Sequence, residues 1–171
     1  MSAEISEGAF IICADSGYDK ALQAGTKPDL ILGDFDSLEN PLPDNIETMR
    51  SPVHKDDTDT MLAVRTALDR GYDDITLISA CGGRTDHTLA NIATLLFIRE
   101  HGARASIKGD STDIYILEDE KITLSPDLSR YLSVFAISEK ATVSIAGAGY
   151  PLDNYVMERS LSLIHISEPT R

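Results

Sequence analysis

Apolar runs of strand length alternate with segments of helical periodicity over the first two thirds of the chain. Buried strands are predicted at residues 9–14, 30–32 and 75–80, with a weaker candidate at 46–49. Helices are predicted between and after them, at residues 17–24, 58–70 and 86–101. Strands that alternate with helices are typical of an α/β fold, so we expect a mostly parallel sheet with helices on both faces.

Two of the predicted helices carry apolar stripes that we expect to face this sheet. A spacing of three or four residues returns side chains to the same helical face. The stripes consist of Met61, Val64 and Leu68 in the second helix, and of Leu89, Ile92, Ala93 and Leu96 in the third.

From Ala103 onward, short strand-like segments with turn residues between them replace the helical pattern. They predict a second, all-β unit that begins after about residue 120. We therefore divide the chain into an α/β domain at residues 1–120, a β domain at residues 121–160 and a tail at residues 161–171. The tail, LSLIHISEPTR, resembles the conceptual translation of a transposase adapter used in sequencing libraries, and it is left out of the functional assignment.

The chain has 171 residues and a net charge of −13, which restricts its partners. Such acidity argues against nucleic acid or an anionic membrane, because both require a basic surface. A nucleotide is compatible if Mg²⁺ separates its phosphates from the carboxylates, although surplus acids can also serve solubility alone. With no bilayer-length apolar run and no secretory signal, we expect a cytoplasmic protein in which Cys13 and Cys81 are reduced strand residues.

Four polar clusters follow predicted strands or precede predicted helices, and we expect them to share one edge of the sheet. Ligands of open α/β sheets bind at the carboxyl ends of the strands. The first cluster is Gly33 to Asp36, in which an extended backbone would aim the Asp34 and Asp36 carboxylates at one point, where they can hold Mg²⁺. The alternative is a polar turn in which Asp36 is a cap.

The second cluster, Lys55 to Asp59, precedes the second predicted helix. Asp and Thr are favoured there as caps, and acids in the first turn complement the helix dipole, so a purely structural role is an alternative. Three acids within four residues exceed what capping requires. Asp59 is therefore a candidate to complete a metal site with Asp34 and Asp36, and Lys55 is a candidate to neutralise a phosphate oxygen.

The third cluster, Cys81 to His87, joins the third strand to the third helix. Its glycines let backbone N–H groups approach a phosphate, and Arg84 offers a planar guanidinium to phosphate oxygens. Asp86 is alternatively the helix cap. His87 and Asn91 lie one turn apart on one face, where they can line a ligand site, although a single histidine there is more often a surface residue.

The fourth cluster, Ala14 to Gly17, follows the first predicted strand. Gly17 permits a tight turn or a close approach of a ligand. Asp15 can form a hydrogen bond with a nucleotide or a substrate. Taken alone, this pattern is weak.

Together these strings resemble the thiamine pyrophosphokinase family. The matching segments are ADSG at 14–17, PDLILGDFDS at 28–37, KDDTD at 55–59, GGRTDH at 82–87 with Asn91, and GAGYPLDN at 147–154. The resemblance covers residues 5–160. It implies an α/β nucleotide-binding domain, an incomplete β-sandwich domain, and a homodimer that transfers a diphosphate from ATP to the hydroxyl of thiamine and releases AMP.

The resemblance also implies roles for individual residues. Mg²⁺ ligation is implied for Asp34, Asp36 and Asp59. ATP contacts are implied for Asp15, Gly33, Thr58 and Arg84, to which the patterns above add Gly17 and Lys55. Thiamine contacts are implied for Asp86, His87 and Asn91. The catalytic candidates are Asp59 through the metal, Arg84 through charge neutralisation, and Asp86, which would orient the attacking hydroxyl or accept its proton.

Both ends of the chain depart from the family pattern. The family has a further strand ahead of the segment that matches Ile5, and more strands with a Ser-Asn pair for thiamine after Ser160. A chain truncated in this way is expected to keep ATP and metal binding and to lose thiamine affinity. We also expect it to leave apolar residues uncovered, except where apolar residues of the tail dock on them; these residues include Val134, Phe135, Val143 and Ile145. The alternatives are a nucleotide-binding fragment without turnover, a pyrophosphokinase for another alcohol such as a pterin, and a nucleotide-sugar transferase.

Overall fold

A computed structural model describes residues 5–36, 38–50, 58–125, 131–160 and 162–163 of the chain. These residues form three helices and ten strands, an α/β architecture. The chain divides into two compact units, Met1–Asp119 and Glu120–Arg171.

The first unit contains two three-stranded sheets and all three of the described helices. In chain order its elements are β1 (Ile12–Ala14), α1 (Gly17–Gln23), β2 (Leu30–Gly33), β3 (Glu47–Arg50), α2 (Asp59–Asp69), β4 (Asp74–Ile78), α3 (Thr85–Glu100), β5 (Arg104–Lys108) and β6 (Asp113–Ile116). Strands β1, β2 and β3 are parallel in that order, whereas β4 and β5 are parallel and β6 is antiparallel to β5. The single sheet expected from the sequence is therefore two sheets in the structure.

Aromatic stacking joins the starts of the two sheets. The ring of Phe10, just before β1, stacks on Tyr72, just before β4, with 5.2 Å between the ring centroids. The Arg70 guanidinium lies 5.2 Å from the centre of the Phe10 ring. The starts of β1 and β4 therefore lie close together.

Two apolar clusters hold the helices against the sheets. The larger contains Val64, Ala67, Ile75, Leu95, Ile98, Ala103, Ala105 and Ile107 from α2, α3, β4, β5 and the residue before β5, and Ile12 packs against it. The smaller contains Cys13, Tyr18 and Ile31 from β1, α1 and β2. Because neighbouring strand residues point to opposite faces, Ile12 and Cys13 place α2 on one face of the first sheet and α1 on the other.

The helical stripes agree with the sequence in α2 and differ in α3. Val64 is buried and Leu68 packs against the larger cluster. In α3, Leu89 is 62% exposed, and the fully buried side chains are Leu95 and Ile98, which the predicted stripe did not contain. Apolar side chains surround the carboxyl-terminal half of α3, so the pattern leaves its rotation open and packing decides it.

The second unit is built from short antiparallel strands. They are β7 (Val134–Phe135), β8 (Lys140–Ile145), β9 (Leu152–Glu158) and β10 (Ser162–Leu163), with β8 paired to β9 and β7 paired to β10. The strand expected from Lys121 onward is absent from the described part, residues 121–125. Strand β9 contains Asp153 and Asn154, although both residue types are depleted in strands.

One pairing bears on the expectation for the tail. Leu163 lies opposite Val134 in the register of β10 and β7. Phe135 remains 62% exposed despite this pairing. The tail thus covers part of the apolar surface at which docking was expected.

Both cysteines are free thiols, as expected from the sequence. Burial raises the pKa of Cys13 to about 11, so this thiol stays protonated at neutral pH. Over the described ranges, no helix is both long and apolar enough to cross a membrane.

Candidate active site

The acids after β2 lie on a tight turn, which we call the Asp34–Asp36 turn. Phe35 has a φ of 68°, a left-handed conformation that non-glycine residues rarely adopt. The backbone N–H of Asp36 donates to Asp34 Oδ1 at 3.1 Å. The expectation of an extended backbone is therefore wrong, because the chain reverses its curvature at Phe35. Such strained residues cluster at functional sites and persist only when their surroundings hold them.

Contacts from distant segments hold Phe35 in this conformation. Its side chain packs against the smaller cluster, which includes Tyr18 from α1. The Arg50 guanidinium, at the end of β3, lies 5.6 Å from the centre of the Phe35 ring, within the range of a cation–π interaction. No local pattern in the sequence singled out Tyr18 or Arg50, because both act on the turn only through the fold.

Gly33 brings the end of β1 directly against the start of this turn. Its φ is 148°, and a β-carbon there would lie 3.2 Å from Asp15 Cα and 3.3 Å from Asp15 N. The Asp15 N–H donates to the Leu32 carbonyl at 2.8 Å, which ties the two strand ends together. A side chain at this position would be strained at this φ and would press on the Asp15 backbone, so glycine suits the approach. By contrast, a β-carbon on Gly17 would meet nothing within 4 Å, so no close backbone contact requires a glycine there.

The start of α2 shows the capping role that the sequence left as an alternative. Thr58 occupies the cap position, and its hydroxyl oxygen accepts a hydrogen bond from the Met61 N–H at 3.2 Å. Asp59 is the first residue of the helix and lies in its first turn. Lys55, with Asp56 and Asp57, lies outside the described residues.

The side chains expected to bind a metal do not form a three-ligand cluster in the described residues. In the part of the chain that the structure describes, no three His, Cys, Asp or Glu side chains are close enough together to hold a metal ion. Asp34, Asp36 and Asp59 are all in that part. Mg²⁺ is usually held by one or two carboxylates together with phosphate oxygens and water. Metal ligation by Asp34, Asp36 and Asp59 therefore stays a prediction.

An ion pair occupies the start of α3. Arg84 Nη2 lies 2.5 Å from Asp86 Oδ2, and Arg84 Nε lies 3.1 Å from Asp86 Oδ1. The prediction that Asp86 caps the helix is wrong, because α3 begins at Thr85 with Arg84 in the cap position. The Arg84 guanidinium holds the pKa of the Asp86 carboxyl below its usual range, with a smaller contribution from the His87 N–H, which also donates to this carboxylate. Both side chains of the pair are largely exposed, at 74% and 63%, so a ligand can displace either partner.

Asn91 supports the loop that carries Arg84. Its Nδ2 donates to the Ala80 carbonyl at 2.8 Å, across the connection between β4 and α3. Gly82 and Gly83 turn this connection with φ values of 97° and 73°. His87 is exposed in the first turn of α3. Asn91 therefore has a structural role, the hydrogen bond to the Ala80 carbonyl. The thiamine contacts expected of His87 and Asn91 stay predictions.

Comparison with known proteins points to one family. A family profile described as "Thiamin pyrophosphokinase, catalytic domain" matches residues 2–107. The chain is 32% identical over 165 residues to a protein of Bacillus subtilis (strain 168) named thiamine pyrophosphokinase. The aligned region covers 90% of this chain and 75% of that protein.

Solved structures agree with the sequence comparisons. The fold is similar to that of a thiamin pyrophosphokinase from Geobacillus thermodenitrificans, with a TM-score of 0.77 and 25% identity over 96% of this chain and 80% of the other. It is also similar to thiamine pyrophosphokinase from Bacillus subtilis, with a TM-score of 0.80 and 26% identity over 92% of this chain and 76% of the other. Since the catalytic-domain profile spans more than half of the chain and the sequence relative agrees with it, the chain belongs to the thiamin pyrophosphokinase family.

Proposed function

We propose that this chain transfers a diphosphate group from ATP to the hydroxyl of thiamine, giving thiamine diphosphate and AMP. The observation that carries the proposal is the strained Asp34–Asp36 turn in a chain of this family. Gly33, which has no side chain, lets the start of this turn lie against Asp15. Strain costs stability and is retained where a geometry is needed for function.

Mg²⁺ is the cofactor that suits these acids. Bound there, it would supply positive charge that offsets the negative charge of the ATP phosphates. Asp34 and Asp36 are the proposed ligands on the turn, and Asp59 in the first turn of α2 is the proposed third. Without a cation, these carboxylates would repel the triphosphate.

The Arg84–Asp86 pair suits the transfer itself. A phosphate can accept two parallel hydrogen bonds from the Arg84 guanidinium, as the Asp86 carboxylate does. The phosphate can therefore replace that carboxylate on Arg84. The Asp86 carboxylate, which is ionised at neutral pH, then accepts a hydrogen bond from the thiamine hydroxyl and orients it. The hydroxyl oxygen bonds to the β-phosphorus as the bond from that phosphorus to the bridging α–β oxygen breaks. AMP leaves, and the hydroxyl proton passes to the Asp86 carboxylate. Catalysis by positioning and charge neutralisation is the usual mode for phosphoryl transfer.

We assign ATP binding to residues 1–120 and a contribution to thiamine binding to residues 121–160, as a partial β-sandwich, in a cytoplasmic homodimer. The division of the chain at Asp119 and the antiparallel strands of the second unit support the first two assignments. The exposed rings of Phe135 and Tyr150, at 62% and 61%, support a partner that covers the second unit.

Product analysis tests the reaction. Incubation with Mg²⁺, ATP and thiamine should give AMP and thiamine diphosphate in equal amounts by chromatography, and neither product when any one component is omitted. ATP binding without AMP would identify a nucleotide-binding fragment. AMP formed with a pterin alcohol and not with thiamine would identify the other acceptor class.

Calorimetry tests the metal. Asp36→Asn should weaken binding of Mg-ATP more than binding of metal-free ATP, because the carboxylate attracts the cation and repels the bare triphosphate. An equal loss of both affinities would count against a metal role for Asp36.

A further inference from the structure

Asp19 is a buried acid on α1 that fastens a distant segment of the chain. It is only 6% exposed. Its Oδ1 accepts hydrogen bonds from Asn40 Nδ2 at 2.6 Å and from the Asn40 N–H at 3.2 Å, and its Oδ2 accepts from the Glu39 N–H at 3.0 Å. These bonds, the Asn40 side chain first, hold the pKa of the Asp19 carboxyl below its ordinary value. A buried, ionised carboxylate with three donors is a fixed anchor rather than a surface group.

The anchored segment is the downstream support of the Asp34–Asp36 turn. Upstream, β2 holds the turn through its ladder with β1 and β3. Downstream, Glu39 is three residues beyond Asp36. The hydrogen bonds from Glu39 and Asn40 to Asp19 therefore fix the position of the backbone shortly after the turn. Between these supports, Phe35 sits at a φ of 68°, which an unsupported chain would relax.

We propose that Asp19 is a positioning residue that keeps the Asp34–Asp36 turn in the geometry that receives metal-bound ATP. The inference rests on the proposed function, since it takes Asp34 and Asp36 to be the metal ligands. Asp19 acts through the backbone of Glu39 and Asn40 and does not itself contact the substrate. Outer groups that orient metal ligands typically change metal affinity by about 10–100-fold when they are removed.

The experiment compares Asp19→Ala with a matched control, Asp29→Ala. Asp29 Oδ2 also accepts a hydrogen bond from a backbone N–H, that of Ile11 at 2.8 Å, but it lies just before β2, at the opposite end of the strand from the turn. For each variant, the Mg²⁺ concentration at half-maximal rate, kcat and the KM for thiamine are measured below the melting temperature. Mg-ATP affinity is measured independently by calorimetry.

Asp19→Ala should raise the Mg²⁺ concentration at half-maximal rate and the Kd for Mg-ATP by about tenfold or more. The KM for thiamine should change by less than about twofold, and Asp29→Ala should leave all three constants near wild type. Asp19→Asn, which keeps one acceptor oxygen, should lie between wild type and Asp19→Ala, and it carries the comparison if the alanine variant does not fold. Unchanged metal dependence, or an equal shift in Asp29→Ala, would overturn the inference.

The two proposals fail differently. A wild-type chain that binds Mg-ATP but makes no thiamine diphosphate would refute the proposed reaction, and calorimetry on the Asp19 variants would still decide the role of Asp19. A wild-type chain whose ATP affinity does not depend on Mg²⁺ would refute both proposals.

Discussion

Replacing Gly33 by alanine tests whether the contact between the ends of β1 and β2 shapes the candidate site. The new β-carbon would lie 3.2–3.4 Å from three atoms of Asp15, two of which belong to the backbone and cannot rotate away. The φ of 148° adds strain of about 1–3 kcal/mol for a residue with a side chain. Overpacking against a fixed neighbour adds about 1–3 kcal/mol.

We expect Gly33→Ala to lower the free energy of unfolding by about 3 kcal/mol, toward the lower end of the summed ranges because small backbone shifts relieve part of the contact. For a chain of this length, that loss corresponds to a melting temperature about 6–12 °C lower, measurable by circular dichroism. Mg-ATP binding should weaken as well, because Asp15 and the Asp34–Asp36 turn are forced apart. Calorimetry at a temperature where the variant is still folded would measure this second effect.

Gly25→Ala is the control, because Gly25 also has a positive φ, 68°, yet a β-carbon there would meet nothing within 4 Å. It should cost about 1 kcal/mol, from backbone strain alone, and leave Mg-ATP binding unchanged. If Gly33→Ala and Gly25→Ala melt within about 2 °C of each other and bind Mg-ATP equally, the argument from close contact is refuted.

Three further predictions concern other parts of the first unit. In Arg84→Gln, the pKa of Asp86 should rise toward its ordinary value in a carboxyl-carbon NMR titration. Because the lowered pKa of Asp86 in the folded wild type stabilises the fold above the pKa of the unfolded state, any loss of stability in the variant should be present at pH 7. That loss should vanish as the pH falls through the pKa of Asp86 in the folded wild type. Asn91→Ala should lower stability by about 1 kcal/mol and speed hydrogen exchange in the loop after Ala80, because the carbonyl of Ala80 loses its donor. A thiol reagent at pH 8 should label a chain that keeps only Cys13 more slowly than one that keeps the less buried Cys81.

Each of these has an opposing outcome. An unchanged pKa of Asp86 would show that the ion pair is not formed in solution. Unchanged hydrogen exchange would remove the loop-supporting role of Asn91. Equal labelling of the two thiols in the folded chain, and not only after denaturation in urea, would contradict the burial of Cys13.

Local patterns in the sequence were enough to predict the kind and order of most elements in the first unit. Residues 9–14 contain β1, and the segment predicted at 58–70 contains α2, within a residue or two at each end of the helix. These features depend on neighbours a few positions apart, whose spacing distinguishes a strand from a helix. The placement of acids, glycines and Arg84 directly after strands was equally local, and it was sufficient to indicate the family.

Tertiary structure decided what depends on residues far apart in the chain. The rotation of α3, the separation into two sheets and the strained φ of Phe35 follow from packing against segments that no local window contains. The anchor between Asp19 and Asn40 joins residues 21 positions apart. The approach of Gly33 to Asp15 joins the last residue of β2 to the residue that follows β1. Burial and hydrogen-bond geometry select such contacts only when the chain is compact, because their energies depend on distances that the sequence does not encode locally.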